Sequence, residues 1–402
     1  MLDFVAPSPV FLFLGYIGLF IWSVLPIVIW GKNNRICPFQ GDIKDQKLFS
    51  FFIVCLVFVI IRGFIVNYGS IVNIITQLTN PYGIFAFLMP FIAFLNPSQF
   101  CFKRFVNVQI IVGGVFLLYV FINRNFLFSS DCYTFVNPVA LTDNAIEERA
   151  SWSSTVMFTS KLFMMMGFLM YIPSFIDKKR YRFVWLCWGV AFFCAAMGGR
   201  RGTCVTLILM AFFSFYFYVN RRRGSATWFK YAFLLVAVFT VAYYVYSSFS
   251  GMFELMANRI DTDSRSEVFL GFWTDMGAGF DWIWGRGLNG QYYCPMNQNG
   301  TYVLYRNAVE NGYLYLILVG GVFFLLLYII VLLKAAIKGF FHSNNQLTKA
   351  FAAAILVSLF NLIPFGVPEC SITFFVVWVG VAICSSPYYR GMTDNEIRQL
   401  FR

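Results

Sequence analysis

The chain has 402 residues, of which 59% are hydrophobic and 12% charged, with a formal net charge of +12. Mean hydropathy is +0.70, which excludes an ordinary soluble domain; repeated apolar runs of about 17–25 residues are the mark of membrane-spanning helices. The pattern lacks the alternating segments of about 10 residues that a β-barrel needs, and most Lys and Arg fall in short loops between apolar runs, a topology signal that argues against a nucleic-acid footprint.

In chain order the candidate spans are Val10–Trp30, Leu48–Val66, Pro81–Leu95, Phe105–Ile122, Thr155–Ile176, Phe183–Gly199, Thr203–Val219, Lys230–Phe249, Asn311–Leu333, Ala350–Pro364 and Ser371–Ser385. The expected fold is an all-α polytopic membrane protein of about 11 helices. The third span is short and carries Pro90, so it either extends to Phe100 or is broken. No small-residue cleavage site follows Val10–Trp30, so it is expected to span rather than to act as a cleaved signal peptide. The chain is read as a single integral membrane domain, 1–402, with one large loop at 250–310.

Alternate loops are rich in basic residues: Lys32, Arg35, Lys44 and Lys47; Lys103 and Arg104; Lys178, Lys179, Arg180 and Arg182; Arg221–Arg223; Lys334, Lys338 and Lys349; Arg390, Arg398 and Arg402. That side is expected to be cytoplasmic. The C-terminus is then inside, the N-terminus outside, and the 250–310 loop outside. The outer side carries Arg124, Arg149, Arg200, Arg201, Arg259, Arg265, Arg286 and Arg306 and no Lys. Guanidinium forks suit phosphate oxygens where an ammonium is a point charge.

Within the large loop, Ser264-Arg265-Ser266-Glu267 reads as a capping box. Behind it Val268, Phe269, Phe272, Trp273 and Met276 share a helical face, predicting an amphipathic helix near 264–276 that lies on the membrane surface or against the bundle. Gly285-Arg286-Gly287-Leu288-Asn289-Gly290 predicts a tight turn.

The chemistry-bearing candidates lie at the expected outer surface. Arg200 and Arg201, in GGRRGT, are either snorkelling turn residues or an anion site with backbone room supplied by three glycines. Arg265 is either an ordinary exposed charge or part of a helix N-terminal anion site. Glu310, at the mouth of the span that begins Asn311-Gly312-Tyr313, is either a helix-start carboxylate or a base whose pKa partial desolvation raises toward neutrality. Lys161 and Arg62 are charges inside spans, which need a partner or a function. Glu369 is a further outer carboxylate, for which a loop role is favoured. His342 is the one histidine and falls on the cytoplasmic side. Ten scattered Cys form no CxxC pair, and no metal site or cofactor is expected. Cys132, Cys294 and Cys370 fall outside, so a disulfide among them is open.

GGRRGT at 198–203, SRSEVFLGFW at 264–273, WGRGLNGQY at 284–292 and ENGYLYLILVGG at 310–321 together, in this order, resemble the O-antigen polymerase and O-antigen ligase superfamily, the Wzy-type envelope glycosyltransferases. The likeness covers roughly 183–334. Glu310 stands where the ligases have His, which favours a polymerase. The resemblance implies a GT-C-like helical fold and a metal-independent, inverting glycosyltransferase in the bacterial inner membrane. Its substrate would be oligosaccharide carried on undecaprenyl pyrophosphate, joined for O-antigen, capsule or exopolysaccharide. Glu310 would be the base, and Arg200, Arg201 and Arg265 would hold the pyrophosphate. Asn311, Tyr313, Arg286, Arg306, Lys161, Arg62 and Glu369 are secondary candidates. Partners would be membrane lipid, a chain-length regulator and a flippase, with no nucleic acid. The alternatives are a ligase and, in another class, a lipid-linked oligosaccharide flippase or transporter.

Overall fold

A computed structural model describes residues 39–67, 82–95, 97, 101–128, 143–198, 200–220, 265–277, 279–298, 301–307, 309, 311–364 and 366–400. Its helices are α1 (Ile43–Asn67), α2 (Ile84–Leu88, continued as a 3-10 turn over Met89–Phe94), α3 (Phe102–Ile122), α4 (Asp143–Met166, continued as 3-10 over Gly167–Tyr171), α5 (Lys178–Met197) and α6 (Arg201–Asn220). After these come α7 (Arg265–Met276), α8 (Asp281–Trp284), the strands β1 (Tyr292–Gln298) and β2 (Thr301–Arg306), α9 (Gly312–Phe341), α10 (Gln346–Asn361), α11 (Ile372–Ser385), α12 (Pro387–Gly391) and α13 (Asp394–Leu400). Among the described residues four helices are long and apolar enough to cross a membrane: Ile43–Asn67, Phe102–Ile122, Gly202–Val219 and Gly312–Phe341. The protein is therefore a mostly helical one with the character of a membrane protein. Val10–Trp30 and Lys230–Phe249 lie outside the described residues. Of the two alternatives for the third span, the structure has the interruption: the helix tightens to 3-10 from Met89 and ends at Phe94, at a Pro that cannot supply an amide to the ladder.

The centre of the bundle is α11. It is apolar all round, and every residue but Thr373 is buried, the mark of a helix that meets neither water nor lipid. Its 14 residues rise about 21 Å, less than the ~30 Å hydrocarbon thickness. Around it the abundant phenylalanines interlock between helices. Phe52 of α1 stacks on Trp378 of α11 and on Phe324 of α9, both with ring centroids 5.7 Å apart, and Phe168 meets Phe351 at 4.6 Å. Many of the described Phe residues are thus accounted for as packing, with ring pairs adding about 0.5–1.5 kcal/mol beyond area.

Helices α1 and α9 run antiparallel. At one end Lys338 Nζ bonds Asp42 at 2.7 Å and Asp45 at 2.5 Å, and Lys334 Nζ lies 2.8 Å from Asp45. The opposite end, carrying Asn67, Asn311 and Arg200, is the one expected to face outward and is called the site end below. At the tail of the chain Thr393 and Glu396 form a capping box for α13: the Thr393 N–H donates to Glu396 at 2.7 Å, and the Glu396 N–H donates to the Thr393 hydroxyl at 3.4 Å.

At the site end, α7 buries Val268, Phe272 and Met276 against β1 and the first turns of α9. Trp273, expected on that same face, is 48% exposed. The hairpin β1–β2 is antiparallel, with a bulge between Tyr293 and Met296. Pro295 sits in that bulge, where a residue without an amide proton costs no ladder bond.

Candidate functional site

The site end is built around the first three turns of α9. Asn311 is extended (φ −143°, ψ 124°) and its side-chain oxygen accepts from the amides of Tyr313 and Leu314 at 2.9 and 3.3 Å. This is an N-cap, and it explains why the helix begins here. The Gly312 amide donates to Leu362 O at 2.7 Å, and the Tyr313 hydroxyl donates to Leu359 O at 2.8 Å. Both bonds tie the start of α9 to the end of α10 and the loop after it.

That loop, 362–370, also meets the start of α6. Thr206 Oγ1 bonds Asn361 Oδ1 at 3.3 Å, and Gly202 lies so close to Pro364 that a Cβ there would collide with the proline ring. The GGRRGT turn therefore sits beside the loop and beside Asn311. Arg200 marks the helix boundary, its carbonyl accepting from Cys204 N at 3.0 Å. Farther along the loop, Glu369 pairs with Lys161 of α4 at 3.3 Å, with side chains 16% and 19% exposed. Lys161 also bonds the Tyr82 hydroxyl. Lys161 is thus a paired charge. Burial, and then the charge of Glu369, push the neighbouring Cys370 thiol up to about 11, which leaves it protonated and inert at neutral pH. Among the described residues neither Cys370 nor Cys294 forms a disulfide; Cys132 lies outside them.

A second feature lies one side of α9. The helix is broken at Gly321, where φ is 75°, a conformation that only glycine enters cheaply. The break releases the carbonyls of Leu318 and Val319, which accept instead from the amides of Arg286 and Gly287 at 2.7 and 2.9 Å. The predicted turn at 285–290 thus plugs the break. Gly285 and Gly287 also have positive φ, and the Leu288 amide reaches Val59 O at 3.4 Å. Val59 is eight residues before the end of α1, so the turn dips about 12 Å below that end. At such depth backbone polar groups need protein partners. Asn67 supplies two, its Nδ2 donating to Arg286 O at 2.9 Å and Leu288 O at 2.8 Å.

The arginines of this region are held by carboxylates. Arg286 bonds Asp275 at 2.5 Å and Asp281 at 2.9 Å, and Arg62 bonds Asp281 at 3.1 Å. Burial opposes the Arg286 charge, but the bonds from Asp275 and Asp281 outweigh it and raise the guanidinium pKa. A pocket of about 490 Å³ opens here, lined by Arg62, Val66, Asn67, Asp281, Arg286, Asn289, Gln291 and Tyr305.

The sequence candidates therefore fall into two groups. Arg200, Asn311, Tyr313, Lys161 and Glu369 gather around the 362–370 loop. Arg62 and Arg286 gather at the pocket. Arg306 closes β2, paired in register with Tyr292. Arg201 and Arg265 begin α6 and α7; their side chains, with Glu267 and the whole of Ser264 and Glu310, lie outside the described residues. Among the described residues no three His, Cys, Asp or Glu side chains form a metal-binding group. The sequence reasoning missed Asp275 and Asp281 as arginine partners, and it missed the hairpin. Asn299-Gly300 between two runs rich in Tyr was the available signal. Comparison of the chain with family models, with curated proteins and with solved structures gives no match.

Proposed function

We propose that this chain is a metal-independent inverting glycosyltransferase of the bacterial inner membrane. It would polymerise oligosaccharide units carried on undecaprenyl pyrophosphate at the outer face. The observation that carries this reading is the meeting, at one end of the bundle, of the GGRRGT turn, the capped helix start that follows Glu310, and the loop of Glu369. In the reaction an acceptor hydroxyl attacks the anomeric carbon and the bond to the pyrophosphate oxygen breaks. The proton of the hydroxyl goes to Glu310, and the bonding electrons go to the departing diphosphate. Arg200, Arg201 and Arg265 stabilise that charge, which is worth several kcal/mol in a partly desolvated site. The positive ends of α6 and α9 add to the same field.

The test is a glycan ladder from a strain lacking its own polymerase, comparing wild type with Glu310→Gln, Arg200→Ala, Arg201→Ala and Arg265→Ala at matched membrane levels. Loss in all four supports the roles given. Loss in the arginine variants alone keeps the enzyme and moves the base, with Glu369 next in line. Unchanged ladders in all four rule out this site. A ligase would move finished glycan to a different acceptor and produce no ladder.

One observation favours the flippase reading: the break in α9, since transporters place substrates at interrupted helices. Here, however, the freed carbonyls are occupied by the 285–287 turn, so the break acts as a joint between loop and bundle.

A further inference from the structure

The pocket beside α1 has a chemistry different from that of a pyrophosphate site. Its two guanidiniums, Arg62 and Arg286, face two carboxylates, Asp275 and Asp281, so the formal charges cancel. All three nitrogens of the Arg286 fork are engaged: Nε with Asp281, Nη1 with Asp275 and the Gln291 carbonyl, and Nη2 with the Asp275 carbonyl. An anion entering here would meet cations already neutralised, and it would have to approach Asp281.

What the pocket offers is a fixed array of hydrogen-bonding groups around an aromatic wall. Asp281 has one oxygen on Arg62 and the other on Arg286, which leaves further lone pairs on each. Asn289 is held at φ 60°, and its side-chain oxygen accepts from Asn307 at 3.0 Å. Gln291 is exposed at the rim. Tyr305 is 55% exposed and stands edge-on to Tyr293, with centroids 5.6 Å apart. The turn beneath is pinned by Asn67 and by the α9 carbonyls, so the groups are preorganised. A sugar ring matches this set, because it has an apolar C–H face for an aromatic ring and a rim of hydroxyls that both donate and accept. The volume of about 490 Å³ falls within the ~300–1,000 Å³ of small-ligand clefts.

We propose that this pocket is a carbohydrate subsite that binds an uncharged sugar unit. Tyr305 forms the stacking wall, and Asp281, Asn289 and Gln291 read the hydroxyls. Arg62 and Arg286 are positioning residues that hold Asp281. The proposal rests on the transferase reading in one respect, that the polyhydroxyl ligand is a glycan.

The test uses the full chain in lipid nanodiscs, titrated with neutral gluco-, galacto-, manno- and N-acetylglucosamine oligosaccharides and with a uronic-acid oligomer, followed by saturation-transfer NMR. The variants are Gln291→Ala and Tyr305→Ala, both at exposed positions and checked for an unchanged Tm. Gln291 lies outside the strands, so it still tests the pocket if Tyr305→Ala fails to fold. The expected result is saturable binding of a neutral oligosaccharide, insensitive to ionic strength, weakened about tenfold or more (roughly 1.4 kcal/mol) by each variant. Three results would overturn it: binding only of the uronic-acid oligomer with strong salt dependence, neutral binding untouched by both variants, or no binding by the wild type. A wild type that builds a ladder yet fails here loses the pocket and keeps the transferase. Binding without a ladder does the reverse.

Discussion

Lys161 and Arg62 could be singled out from sequence because a charge inside an apolar run needs a partner. The partners were not legible. Glu369 and Asp281 stand more than 200 residues away in the chain, and nothing local marks them. The two pairs should differ in cost. Lys161 and Glu369 are mostly buried, so removing one leaves a desolvated charge. Lys161→Met or Glu369→Gln should each destabilise by roughly 3 kcal/mol, whereas the double variant, with no charge to strand, should recover part of the loss. Thermal unfolding of the four proteins in detergent forms the cycle, and losses that simply add would show that the pair is not coupled. At the other cluster Asp281 is 37% exposed and has two arginines. Arg62→Ala should therefore cost less than about 1 kcal/mol, the scale of a solvent-screened pair. Arg286→Ala takes from Asp275 its arginine and from Asp281 one of its two, and should cost roughly 2 kcal/mol. Equal losses would mean that the two arginines do not rank as the geometry requires.

Element by element, the helices were the legible part, because each apolar run within the described residues became a helix, although the one expected from Thr155 starts at Asp143 and the one expected to end at Leu333 runs on to Phe341. The depth of the 285–290 turn was not legible. Its glycines announce a turn, but a turn on the surface and one plugging a helix break have the same local sequence. The pairing is set by Gly321, whose own break is hidden inside an otherwise unbroken apolar run. The hairpin went unread for a different reason: polar and aromatic residues crowd the loop and mask the alternation of buried Tyr292, exposed Tyr293 and buried Cys294. The joint between turn and helix makes a sharp prediction. Gly321→Ala places a Cβ against the Ile283 carbonyl at φ 75° and ψ 174°, a region that is essentially glycine's alone and costs about 1–3 kcal/mol in strain. The 283–288 turn should then come away from α9. Limited proteolysis between Phe280 and Gln291 should accelerate, while Gly391→Ala, with open space around it, should cleave as wild type. Equal protection in both would mean that the turn is held without the break.

At the scale of the whole molecule, the charge pattern and the packing make independent statements about sidedness. The loops rich in Lys and Arg assign Lys44 and His342 to the cytoplasm. The packing puts the same two residues at one end of the bundle, because Asp42 and Asp45 at the start of α1 bond Lys334 and Lys338 near the end of α9. Phe280 and Tyr293, both exposed, belong to the opposite end, with the arginine turn and the pocket. Single cysteines can be placed in a cysteine-free background at Lys44, Phe280, Tyr293 and His342. They should therefore sort two and two when intact cells meet a membrane-impermeant thiol reagent, with 280 and 293 labelled and 44 and 342 labelled only after lysis. Labelling of 44 and 342 in place of 280 and 293 would keep the fold and turn it over. The arginine turn would then face the cytoplasm, where a chemistry at the outer face has no access to it. A split between 44 and 342 would contradict the antiparallel packing of α1 and α9 itself, since the ion pairs that join them cannot bridge a bilayer of about 30 Å.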